Sequence, residues 1–120
     1  MIKNLLFVGL GGMLGSMLRY LIAVVIKAPA FPAATLTVNI IGSFIIAVVL
    51  GYAMKNAQFE MNWRLFFATG VCGGFTTFSA FSIECMQLLQ QQRYQTFIFY
   101  VGLSIVGGIS ATFAGVWLTK

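Results

Sequence analysis

Four apolar runs, each about as long as a bilayer is thick, leave this chain few ways to fold. They are Leu5 to Ile26, Thr35 to Met54, Leu65 to Leu89 and Phe97 to Leu118. A helix needs about 20 apolar residues to cross the hydrocarbon core. Of the 120 residues, 60% are hydrophobic and 8% charged, too few polar groups to clothe a soluble domain. Polar punctuation falls between the runs: Lys27, Pro29 and Pro32; Lys55, Asn56, Glu60 and Arg64; then Gln90 to Arg93. The expected fold is an all-α membrane protein, a single four-helix transmembrane domain over residues 1–120 surrounded by lipid bilayer. The opening Met-Ile-Lys-Asn suits a signal peptide, but the run behind it is longer than the usual apolar core of one. It is read as a retained first helix.

Seven Lys and Arg against two Glu give a net charge of +5. Most of these charges sit at the ends of the runs, where Lys3, Lys27, Lys55 and Lys120 suit interface anchoring. With no clustered basic stripe, no nucleic-acid partner is expected. His and Asp are absent from the sequence, which leaves almost no material for metal clusters or acid–base dyads, so no enzyme chemistry is expected. Cys72 and Cys85 lie about 20 Å apart along a helix, too far to bridge within one subunit. Four spans put Lys3, Lys55, Arg64 and Lys120 on one side; Lys27 and Arg93, with Arg19 near them, fall on the other. Under the positive-inside rule this is nearly no bias. Such a chain can insert both ways, or be held in one orientation by the translocon.

The third run contains Gly73-Gly74-Phe75-Thr76-Thr77-Phe78-Ser79-Ala80-Phe81-Ser82. Adjacent glycines followed by hydroxyl residues make poor continuous helix. Broken backbone at membrane depth is tolerated where it is buried in protein or lines a cavity, and often marks an ion or substrate site. The third helix is therefore expected to break near its middle. If helix resumes, Phe75, Phe78 and Phe81 fall along one face.

Other polar groups recur at helical spacing. Gly11 with Gly15, and Gly12 with Ser16, read as close-packing pairs. Arg19 within the first run is either a vestibule residue or snorkels to the near interface. Thr35, Asn39 and Ser43 share a face of the second run with Gly42; Asn39 offers two donors and one acceptor, to a neighbouring helix or to a passing anion. Tyr100 and Ser104 add hydroxyls in the fourth run. Glu84, an intramembrane carboxylate, is either a coupling group or a hydrogen-bonded structural residue nearer the interface. Ring edges carry the positive side of the aromatic quadrupole, so hydroxyls, an amide and phenylalanine edges together favour a small anion over a cation.

Four segments carry a resemblance to a known family: Gly11 to Tyr20 (GGMLGSMLRY), Thr37 to Gly42 (TVNIIG), Gly70 to Ser82 with Glu84, and Tyr100 with Ser104. In that order and in those spans, they make the chain resemble the CrcB/Fluc family of microbial fluoride channels along essentially its whole length. The resemblance implies an antiparallel, dual-topology homodimer in the bacterial inner membrane, with two fluoride pathways lined by both subunits. It implies that Asn39, Thr77, Phe78, Ser79, Phe81, Tyr100 and Ser104 lie along those pathways, with Arg19 near an aqueous vestibule. It also implies a structural sodium ion on the dimer axis, held by the main-chain carbonyls of Gly73 and Thr76. Ala80 departs from the family's usual Thr and removes one hydroxyl. The function expected is a fluoride-selective channel that exports cytoplasmic fluoride by passive diffusion. The alternative is a small dual-topology multidrug or guanidinium exporter, which needs a carboxylate in its first helix; this first helix has Arg19 and no acid. A non-transporting assembly subunit would leave the broken helix and polar faces without purpose.

Overall fold

In lipid every main-chain polar group must find its partner within the protein, and a helix supplies those partners locally. The computed structural model, which describes residues 1–56, 58, 59 and 61–120, is built from helices accordingly. Glu60, one of the connection charges, lies outside the described residues. The elements are α1 (Ile2–Val25), α2 (Ala33–Lys55), a helical rod over residues 61–75 here termed α3a, α3b (Phe78–Gln90) and α4 (Tyr94–Leu118). Among the described residues, four helical segments are long and apolar enough to cross a membrane, the third running from Met61 to Gln90 through a bend. This is a multi-pass membrane protein. Helices of 23 to 25 residues, at about 1.5 Å per residue, are longer than the roughly 30 Å hydrocarbon core.

The helices pair out of sequence order. α1 packs mainly on α3a, and α2 mainly on α4. Glycine makes the first pairing possible. A Cβ on Gly70 would lie 2.8 Å from the Gly11 Cα, and one on Gly74 would lie 3.1 Å from the Gly12 Cα. A Cβ on Gly15 would come within 2.9 Å of the Phe75 nitrogen. Gly11 thus meets Gly70, Gly12 meets Gly74, and Gly15 meets the main chain of Val71 and Phe75, backbone to backbone, which is how small residues hold helices together where lipid competes for every apolar contact.

Within α3a an α-helical turn (Met61–Arg64) leads into a π-helical stretch (Leu65–Cys72) and a final turn (Gly73–Phe75). The glycines therefore remain helical, with Gly73 at φ −61° and ψ −40°. The interruption falls just beyond them, where Thr76 (φ −87°, ψ 157°) and Thr77 (φ −152°, ψ 121°) are extended. This separates the three phenylalanines: Phe75 is buried, whereas Phe78 is 77% exposed. Only Phe78 and Phe81 share a helix face. α3b starts with Thr77 as its cap, the hydroxyl accepting from the Ala80 N–H at 3.1 Å. It ends in a tight reverse turn: the Arg93 N–H donates to the Leu88 carbonyl and Gln92 adopts φ 58°.

Candidate ion site at the broken helix

The site begins with the main-chain groups that the break releases. In a continuous helix the Thr77 N–H would return to the Gly73 carbonyl. Here it donates to Asn39 Oδ1 at 2.8 Å, and Asn39 Nδ2 donates to the Thr77 carbonyl at 3.0 Å. One side chain of α2 thus satisfies both main-chain groups of the extended residue, leaving one of its own N–H bonds uncommitted. α1 contributes Arg19, whose Nε donates to the Gly74 carbonyl at 3.1 Å. The end of α3a, where helix dipoles concentrate negative potential, is a favourable place for that guanidinium. Sequence reading placed Arg19 at a vestibule or interface. Its partner in the structure is the helix break itself.

Thr76 commits its hydroxyl to the Cys72 carbonyl at 2.9 Å. The break thus offers a ligand main-chain oxygen, beside the lone pairs that this hydroxyl retains. The Gly73 carbonyl has lost its helical donor to Asn39, and open space surrounds the Gly73 Cα. Gly73, Thr76, Thr77, Phe78, Asn39 and Ser43 line one cavity of about 320 Å³. Unwound carbonyls of this kind are hard donors suited to a hard monovalent cation.

A second cluster lies one to two turns further along α3b. Glu84 accepts from Thr35 Oγ1 at 2.9 Å and from the Tyr100 hydroxyl at 2.8 Å, joining α2, α3b and α4. Tyr100 is fully buried and Thr35 nearly so. Of the two readings open for Glu84, the hydrogen-bonded one describes its surroundings. Each hydroxyl carries a single proton, so an anion arriving here competes with Glu84 for the same donors. Arg19, Thr35, Thr77 and Glu84 line a cavity of about 210 Å³ between the two clusters.

Aromatic rings connect the clusters on the other flank. Phe78 and Phe81 lie 5.8 Å apart between centroids, and Phe81 and Tyr100 lie 5.0 Å apart. The Thr77 and Ser79 hydroxyls are 3.2 Å apart. Ser104 Oγ is buried on α4 without a hydrogen-bond partner among the described residues. The structure thus gathers Asn39, Thr77, Phe78, Gly73 and Thr76 around one cavity, with Phe81 and Tyr100 adjoining, while Ser104 stands apart from these hydrogen bonds. Sequence reading noted Thr35 only as part of a polar face and missed its pairing with Glu84. The available signal was the carboxylate itself, which at membrane depth demands donors from other helices.

Residues 6–116 match the family model described as CrcB-like protein, camphor resistance (CrcB). The chain is 44% identical over 121 residues to a fluoride-specific ion channel FluC of Leptospira interrogans, covering 98% of this chain and 95% of that one. It is 40% identical over 123 residues to the protein of the same name from Azobacteroides pseudotrichonymphae, covering 100% and 98%. A third such protein, from Erwinia tasmaniensis, is 41% identical over 122 residues, covering 100% and 98%.

Proposed function

The chain belongs to the CrcB family, and from that premise we propose that it is a fluoride-selective channel through which cytoplasmic fluoride leaves by passive diffusion. End-to-end relatedness carries this reading: proteins named fluoride-specific ion channels align over 98–100% of the chain. The geometry supports it. Dipolar groups, an amide and ring edges gather at a helix break, and such donors can replace part of the shell of a small, strongly hydrated anion. Hydrogen fluoride crosses membranes and dissociates inside the cell, so a passive exit for the trapped anion needs no energy coupling. We place Asn39, Thr77, Phe78, Ser79, Phe81, Tyr100 and Ser104 along the path and assign Arg19 the attraction of anions toward it. Fluoride efflux from liposomes containing the purified protein, with chloride as control, tests the proposal. Equal rates for both ions, or none for either, would refute it.

The functional unit we infer is an antiparallel homodimer in the bacterial inner membrane. The near-absence of charge bias supports it, as does the exposure of Phe78 and Gly73, groups of the site, on the surface of a single chain. C-terminal reporter fusions should report from both sides of the membrane; signal from one side only refutes dual insertion.

The family also implies a sodium ion, and the Gly73 and Thr76 main-chain oxygens fit one: both are hard donors, at the point where the helical hydrogen-bond ladder stops. Bound there, the ion would supply a fixed positive charge that favours anions nearby. Two carbonyls are too few for a hard cation's shell, and a second copy would double them. Thr76→Ala is therefore expected to retain sodium dependence of efflux, whereas Gly73→Val, which fills the open space at the break, is expected to abolish it. The reverse pattern would assign coordination to the threonine side chain.

A further inference from the structure

The connection between α1 and α2 is tied to the interior from two directions. Within it, the Phe31 N–H donates to the Ala28 carbonyl at 3.1 Å and the Ala33 N–H to the Phe31 carbonyl at 2.7 Å, giving a tight turn between Pro29 and Pro32. This turn sets the Phe31 ring edge-on against Tyr100, with centroids 5.6 Å apart and planes at 81°. Phe31 thereby extends the line of rings from Phe78 through Phe81 and Tyr100 out to the membrane surface. From the opposite end of the chain, the Arg93 guanidinium donates to the Ala30 carbonyl, next to Phe31 in sequence. The main chain of Arg93 is itself fixed, since its N–H caps α3b at the Leu88 carbonyl at 2.9 Å. Beneath the loop a cavity of about 160 Å³ opens onto Glu84, with Gln87, Gln91 and Arg93 on its wall.

We propose that the Arg93–Ala30 contact is a pin that seats Phe31 on Tyr100 and so keeps the Tyr100 hydroxyl on Glu84, making Arg93 and Phe31 positioning residues for the ion path at this end. The inference rests on the channel reading. Neither residue needs to touch the ion. The Tyr100 oxygen cannot leave Glu84 without shifting a ring packed edge-on by Phe31, and the main chain beside Phe31 is held by Arg93. The partner of Arg93 is a neutral carbonyl, so the guanidinium acts here as a donor more than as a charge.

Fluoride efflux from liposomes and thermal melting in detergent, both on the full chain, test this with Arg93→Ala, Arg93→Lys, Phe31→Leu and the Arg93→Ala/Phe31→Leu double variant. Arg93→Ala and Phe31→Leu are each expected to slow efflux about fivefold, the scale of losing one aromatic contact. The double variant should be no slower than the worse single, because both remove the same link. Arg93→Lys keeps a donor only one bond shorter and should stay within about twofold of the parent. Parent-like efflux from both singles, multiplying losses in the double, or Arg93→Lys as slow as Arg93→Ala would each overturn the pin. Should Arg93→Ala not reconstitute, Arg93→Met keeps the packing of the stem and takes its place. If the parent itself carries no fluoride, the channel reading falls and melting decides the pin alone: non-additive shifts at positions 31 and 93 sustain it, additive shifts overturn it.

Discussion

Asn39→Asp is expected to slow fluoride efflux by about two orders of magnitude while the protein still folds. The amide at this position holds Thr77 through one donated and one accepted bond. Aspartate can still accept from the Thr77 N–H, but its second oxygen would face the Thr77 carbonyl with no proton to offer. The ionised form adds a charge to the wall of the proposed path. A fixed negative charge about 6 Å from a passing anion, at an effective dielectric of about 20, raises its energy by roughly 3 kcal/mol, or about a hundredfold in rate. Asn39→Ser loses the clamp without adding charge and should fall between parent and Asn39→Asp. Efflux from variants that remain monodisperse on gel filtration is the measurement. A parent-like rate for Asn39→Asp would make Asn39 a packing residue and remove it from the path.

Phe81→Ile is expected to be nearly as severe. Phe81 sits between Phe78 and Tyr100, touching both rings. Isoleucine preserves apolar bulk, so the helix should assemble, but it loses two aromatic contacts and the ring edge proposed to face the anion. Each such pair is worth about 0.5–1.5 kcal/mol, so the combined loss corresponds to roughly fivefold to 150-fold in rate. Phe81→Met should be milder, because an unbranched thioether adapts to the gap. If Phe81→Ile and Phe81→Met conduct alike and like the parent, ring electrostatics play no part in conduction.

The all-helical architecture with four potential spans is legible because it follows from apolar length alone. The break is legible in outline, since Gly and Thr cluster in one run, yet its position is not. Propensity points to Gly73 and Gly74, whereas the extended residues are Thr76 and Thr77. Two contacts from other helices decide this: Gly74 is needed as helix to meet Gly12, and Asn39 captures the main chain of Thr77. The same gap hides the cluster of Glu84, Thr35 and Tyr100. Spacing within a run tells which residues share a face, but the register between α2, α3b and α4 depends on packing. The Arg19 partner is hidden for the same reason, because a carbonyl freed by a helix end leaves no mark of its own in the sequence.

The pairing of α1 with α3a, and of α2 with α4, also bears on how the chain is made. The partner of the first span does not emerge next; it lies beyond residue 60, after another complete span. At typical synthesis speeds of 5–20 residues per second, the 50 residues from the end of α1 to the end of α3a take about 3 to 10 s to appear. Through that interval Gly11 and Gly15 lack the main-chain partners they meet in the finished fold, and the first helical hairpin to leave the ribosome is not one the finished protein keeps as a tight unit. Assembly is thus interleaved, and a ribosome stalled before Gly70 carries a nascent chain whose first helix has no proper neighbour.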